Sequence, residues 1–230
     1  ELAAFLAEAG TVWRFDNVVG KKMSVIANLL GSLPHLAAAV GATGTADLQS
    51  SIIAAVEQPL QHRIVSSAPC QEHVVVDPAL VDELPIPWFF EKETGPYITA
   101  GAIVAKDTQN GRANLSIARV KPLESNRALV GIAPNHHLAR MARAAQARGE
   151  KLKIAVCIGN HPAILVASCL YLALGDDELG VAGALLGDAD AGVCCLYSDL
   201  PVPARAACVL CGPRHIPGQI GERAVLCCPG

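Results

Sequence analysis

From Ala113 to Val120 the chain reads ANLSIARV, an apolar run interrupted by an amide (Asn114), a hydroxyl (Ser116) and a guanidinium (Arg119). A buried polar group needs a partner, so a strand of this kind is not plain core, and something polar is expected against it. Arg119 has the most chemistry to offer. A guanidinium grips a carboxylate through two parallel hydrogen bonds, and an ordinary structural ion pair is the alternative. Further along, NHH at 135–137 supplies the imidazoles of His136 and His137, and DDELG at 176–180 supplies the Glu178 carboxylate. An amide oxygen from Asn114, a nitrogen from His137 and an oxygen from Glu178 would form a mixed ligand set that suits Mn²⁺ or Mg²⁺ better than a thiolate-seeking metal. Taken singly, the same residues have plainer roles: Asn114 closing a turn, His137 capping a helix or facing water, Glu178 solvating a helix start. His136 is the weaker of its pair, because two neighbours at a helix start do not point into one site.

These side chains need elements to hold them. A β-branched run at 98–104, a charged turn at 106–112 with Gly111 and a second run at 115–120 predict a hairpin with a loop longer than the tight two-residue turn. A strand at 127–132 follows, then a helix at 134–148 whose Leu138, Met141, Ala142 and Ala145 share a face. Beyond it the pattern predicts a strand at 153–158, a helix at 162–174, a mainly helical segment at 178–186 and a strand at 193–196. Upstream, a short helix at 1–10 ends at Gly10, and strands at 11–15 and 23–27 flank a turn. Ser32 is placed to cap a helix running to Val40 with Pro34 in its first turn, and Asp47 to cap another that Pro59 stops. His73 to Val76 reads as a strand and 77–87 as a proline-rich link. The texture changes between Arg63 and Cys70, which divides the chain into a small N-terminal α/β lobe, residues 1–67, and a larger domain, 68–230.

Composition excludes several classes. Hydrophobic residues make up 52% of the 230 but aromatics only 4%, so the apolar content is mostly Ala, Val, Leu and Ile, as in mixed α/β proteins. A net charge of -3 with a pI near 6.2 gives no footprint for nucleic acid. No basic block suits a membrane surface, no apolar run reaches the ~18–20 residues of a spanning helix, and the N-terminus lacks signal-peptide character. The expected location is cytoplasmic. Neither G-x-G-x-x-G, a Walker pattern nor G-x-S-x-G is present. Of nine cysteines, six fall after residue 190. Cys208-x-x-Cys211 with Cys227, Cys228 or His215 gives a weak zinc reading, because strand residues three apart face opposite ways.

The ordered motifs ITAG (98–101), NLSIAR (114–119), NHH (135–137), IGNHPA (158–163) and DDELGVAGALLG (176–187) resemble the UbiD family of decarboxylases. The similarity runs from FDNVVGKKMSVIANLLGS (15–32) to LPVPA (200–204). The resemblance implies an α/β fold in which the lobe is joined to a flavin-binding split β-barrel domain with inserted helices. It implies non-oxidative, reversible decarboxylation of an aromatic, heteroaromatic or α,β-unsaturated carboxylic acid, with prenylated FMN as electron sink. Asn114, His137 and Glu178 would hold Mn²⁺ or Mg²⁺ at the cofactor phosphate, with K⁺ as a further ion. Thr99, Ser116, Ile117 and Ala118 would approach the flavin, and Pro162 would lie near its phosphate. Arg119 would sit beside both cofactor and substrate carboxylate as the catalytic cation. A flavin prenyltransferase is the implied supplier of the cofactor, and the family forms homo-oligomers.

The pattern breaks after LPVPA. The family continues with a Glu-Gly pair and then a Glu-Gly-Pro segment that supplies two catalytic carboxylates. Here Cys211 stands at the first position and Cys227-Cys228-Pro229-Gly230 where the second motif should begin, with Glu222 the sole carboxylate of the tail. Proton delivery after loss of carbon dioxide needs such an acid. The expectation is therefore a truncated member, lacking the family's C-terminal domain, that decarboxylates poorly or not at all and whose assembly into oligomers is doubtful.

Overall fold

A computed structural model describes residues 1–76, 80–107, 110–123, 127–187, 191–195 and 198–211, with strands at 219–220 and 225–228. In chain order the elements are α1 (Leu2–Ala9), β1 (Trp13–Phe15), β2 (Val25–Ala27), α2 (Leu33–Ala39), α3 (Leu48–Glu57), β3 (Arg63–Val65), β4 (His73–Val76), α4 (Leu80–Glu83), β5 (Ala102–Lys106), β6 (Ala113–Ile117), β7 (Arg119–Pro122) and β8 (Ala128–Gly131). They continue as α5 (His137–Ala147), β9 (Ile154–Ile158), α6 (Pro162–Cys169), α7 (Glu178–Leu186), β10 (Ala191–Cys194), β11 (Pro201–Pro203), β12 (Cys208–Cys211), β13 (Gln219–Ile220) and β14 (Val225–Cys228). The class is the mixed α/β expected.

The central sheet has the order β4-β14-β12-β9-β5-β6 and is antiparallel throughout. Successive strand residues point to opposite faces, and both faces are buried. Ala102, Val104, Ala155, Cys157, Val209 and Cys211 enter one core, which α6 and α7 cover and which Val40 and Ala55 reach from α2 and α3. Ile103, Ala105, Ile154, Val156, Cys208 and Leu210 enter the other, together with Leu138, Met141 and Ala145 of α5 and Val120, Ala128 and Val130 of a second sheet, β13-β8-β7. The Cys208 and Cys211 thiols therefore lie on opposite sides of the sheet. A third sheet, β11-β10-β3, pairs β3 in parallel with β10. Among the described residues no helix is long and apolar enough to cross a membrane.

The helix ends follow local rules. Ser32 caps α2 by accepting from the His35 N–H, as its position predicted. Asp47 sits at the N-cap of α3, but its carboxylate takes the Thr43 hydroxyl instead of a helix N–H. Three expectations are corrected. The predicted helix at 134–148 begins only at His137, because His136 is the cap. The one at 162–174 ends at Cys169, since Leu170 is extended. The predicted strand at 115–120 splits at Ala118: β6 pairs with β5 in the central sheet, while β7 pairs with β8, and Ile98 bridges Val120 instead of opening β5. Burial drives the crossing, because Ile98 and Val120 both enter the core between the two sheets.

One close approach fixes the turn from β9 into α6. Gly159 has φ +67°, and a Cβ there would lie 2.4 Å from the Ala207 Cβ. Replacing Gly159 with Ala is expected to cost about 2–4 kcal/mol, from left-handed strain plus overpacking. Urea unfolding checks this, and the double variant Gly159→Ala with Ala207→Gly should recover the overpacking part alone.

Candidate functional site

The site is assembled around α7, whose sequence ELGVAGALL is apolar on every side and is buried almost throughout. Its N-terminus is held by Asp177, which accepts from the Gly180 N–H at 2.9 Å. The His62 Nδ1 approaches the other Asp177 oxygen at 3.4 Å. Burial pushes the Asp177 carboxyl up, but the His62 bond and the helix N–H groups outweigh it and hold the group below its ordinary value. This capping places Glu178, 3% exposed, against β6.

There the Glu178 carboxylate accepts twice, from Asn114 Nδ2 at 2.8 Å and from the Leu115 N–H at 3.1 Å. Burial dominates over these bonds and raises the Glu178 pKa from 4.5 to about 7. With its amide nitrogen committed, Asn114 keeps a buried Oδ1 that has no partner, and the Ser116 Oγ is likewise buried and unpartnered. Both residues line a cleft of about 190 Å³ with Ile117, His136, His137, Ser168, Cys169, Tyr171 and Glu178.

The two histidines divide their work. His136 Nδ1 accepts from the Leu138 N–H at 3.3 Å and caps α5, and burial, with His137 beside it, lowers its pKa so that the neutral imidazole needed for that bond is favoured. His137, the first residue of α5, lines the cleft with its ring centroid 5.9 Å from that of Tyr171. The structure thus brings Asn114, Ser116, Ile117, His137 and Glu178 to one cleft. Thr99, Ala118, Arg119 and Pro162 do not line it: Pro162 opens α6, Ala118 is the crossing residue, Arg119 is exposed on β7, and Thr99 is exposed next to the Ile98 bridge. Sequence reasoning missed Tyr171, Cys169 and the Leu115 N–H. Tyr171 fell inside an overlong predicted helix, although an aromatic in so aromatic-poor a chain was an available signal.

A divalent cation fits this cleft. Among the described residues no three His, Cys, Asp or Glu side chains cluster to hold a metal, so an ion here requires the Asn114 amide. The orphaned Asn114 Oδ1 supplies a hard oxygen beside a buried carboxylate. Cys227, Cys228, His215 and Glu222 have side chains outside the described residues.

The raised pKa of Glu178 has a signed consequence. Between pH 4.5 and about 7 the unfolded chain has lost this proton and the folded chain has kept it. Ion-free protein should therefore lose roughly 3 kcal/mol of stability as pH rises through that window and level off above it. Urea midpoints across pH should show the decline in wild type and its absence in Glu178→Gln. A cation held by the Glu178 carboxylate would offset that loss at neutral pH, so urea midpoints with and without added Mn²⁺ report whether the cleft takes one.

The UbiD family model, described as the 3-octaprenyl-4-hydroxybenzoate carboxy-lyase Rift-related domain, matches residues 63–218. The chain is 33% identical to the anhydromevalonate phosphate decarboxylase of Aeropyrum pernix over 194 residues, which are 84% of this chain and 42% of that protein. The UbiD-class enzyme HmfF from Pelotomaculum thermopropionicum, solved with FMN, superimposes with a TM-score of 0.86 at 33% identity, covering all of this chain and 56% of HmfF. An evolved dimeric form of HmfF, solved with prFMN, gives 0.88 at 32%, covering 59% of that protein. The chain spans about half the length of these relatives. From the ordered motifs, the fold and these likenesses, the chain belongs to the UbiD family.

Proposed function

We propose that the chain carries the cofactor-anchoring part of a carboxy-lyase that acts, without net oxidation, on an aromatic, heteroaromatic or α,β-unsaturated carboxylic acid. The observation that carries this reading is the unpartnered Asn114 Oδ1, buried beside the Glu178 carboxylate in the cleft that His137 lines. Asn114, His137 and Glu178 would hold Mn²⁺ or Mg²⁺, with K⁺ nearby, against the phosphate of prenylated FMN. Ser116, Ile117, Ala118 and Thr99 would border the flavin, and Pro162 its phosphate. Bound there, prenylated FMN supplies the electron sink for loss of carbon dioxide. Arg119 would orient the carboxylate by a two-point grip. FMN and prFMN in the HmfF structures support the cofactor, and the decarboxylase name of the A. pernix relative supports the reaction class. The division into a lobe at 1–67 and a split-barrel domain from 68 belongs to the same proposal, as does supply of the cofactor by a flavin prenyltransferase.

A second reading is a flavin-binding protein without turnover. Cys211, where the resemblance expects a glutamate, is 1% exposed and faces the core, so it offers no proton-delivering carboxylate. Co-expression with a flavin prenyltransferase, followed by absorbance, mass and metal analysis, tests both. Copurified prenylated FMN with a divalent ion, both lost in Asn114→Leu, supports the site, and a folded chain holding neither overturns it. Turnover on an acid panel then separates the enzyme from the non-catalytic binder.

A further inference from the structure

Beyond the crossing at Ala118, a second cation shares the face that carries Arg119. Along β7 Val120 and Pro122 are buried while Arg119 is exposed and Lys121 half-buried, so Arg119 and Lys121 point the same way, with Cα atoms ~7 Å apart. The register adds their neighbours. Antiparallel pairing sets Gly131 opposite Arg119 and Leu129, 42% exposed, opposite Lys121, and the Ile98–Val120 bridge sets Thr99 level with Arg119 and Tyr97 level with Lys121. The Lys121 ammonium is held in place: Nζ donates to the Thr94 Oγ1 at 2.7 Å and lies 5.7 Å from the Tyr97 ring centroid. Its stem passes Gly95, where a Cβ would come within 3.3 Å of the Lys121 Cε. An ammonium has three donors, and Thr94 takes one. Among the described residues Lys121 and Arg119 make no ion pair with a carboxylate, whereas Lys106 is paired with Asp199 at 2.6 Å.

Two cations on one face that pair with no carboxylate among the described residues, with an exposed leucine beside them, match a small ligand with an anionic group at each end and hydrocarbon between. We propose that Lys121 binds a second anionic substituent, a carboxylate or a phosphate, of an acid whose reacting carboxylate Arg119 holds. This narrows the substrate to doubly anionic unsaturated acids, and it rests on the role given to Arg119 above. An ammonium fixed before the ligand arrives loses little side-chain entropy on binding, which favours such a role.

NMR shift titrations of the chain at low salt, with crotonate, trans-glutaconate and the phosphate ester of 4-hydroxycrotonate, test the proposal. At least one dianion should bind about five- to tenfold more tightly than crotonate, and which one gains identifies the second group as carboxylate or phosphate. Lys121→Met should reduce that dianion to the crotonate level and leave crotonate unchanged. Thr94→Val, which keeps the charge but frees it, should give a smaller loss. Equal binding of all three acids to wild type, or equal effects of Lys121→Met on all three, overturns the role of Lys121. Crotonate binding that ignores Arg119→Met overturns instead the Arg119 reading beneath it.

Discussion

The Glu178 carboxylate, buried between α7 and β6, sets the condition that the rest of the site must meet. A buried charge is costly unless it is hydrogen-bonded and opposed. Two N–H donors, from Asn114 and Leu115, cover part of that cost. No cation among the described residues covers the remainder, and burial raises the carboxyl's pKa to about 7. The neighbouring polar atoms share this incompleteness. Asn114 gives its N–H to Glu178 and keeps an oxygen without a partner, and Ser116 keeps a hydroxyl in the same condition. Unsatisfied polar groups of this kind are rare in native proteins and concentrate where a ligand completes them.

The scaffold that maintains this arrangement is largely apolar and works by position. Apolar throughout after Glu178, α7 is wedged among α3, α6 and the central sheet, and Asp177, braced by His62 from the segment leading into β3, fixes where the helix starts. Residue 178 has little freedom to retreat from β6. His136 commits its Nδ1 to the N–H of Leu138, while its neighbour His137, also lining the cleft, makes no such capping bond. The crossing at Ala118 then distributes one polar strand over two loci. Asn114 and Ser116 stay in the central sheet beside the cleft, and Arg119 and Lys121 pass to the second sheet.

The elements were legible where period and capping agreed. Ser32, the apolar face of α5 and the buried run of β9 all appear where pattern predicted them, because local preference and tertiary burial favour the same outcome. The polar strand was also legible as unusual, since Asn114 and Ser116 interrupt an apolar run. What pattern could not reach was the exchange of sheets at Ala118. The alternation changes phase at the crossing, from Leu115 and Ile117 to Ala118, Val120 and Pro122, but a phase change does not say which strand each half joins, and only the pairings of β6 with β5 and of β7 with β8 do. The end of α6 escaped for a similar reason: Leu170 and Leu172 remain apolar after the helix stops, because they pack against the core from an extended segment. The pairing of Asn114 with Glu178 spans 64 residues, a separation at which spacing carries no signal. The ordered motifs, and not periodicity, suggested that these two residues belong together.

The cleft of Asn114, His137 and Glu178, as proposed, is a divalent-cation site, and Mn²⁺ binding to the metal-stripped chain above pH 7, followed by electron paramagnetic resonance of the free ion, tests it. A single saturable site, weakened at least about tenfold in each of Asn114→Leu, His137→Ala and Glu178→Gln while the folded state persists, is the predicted result. Saturable binding indifferent to all three substitutions, or no binding by a folded wild-type chain, would contradict it.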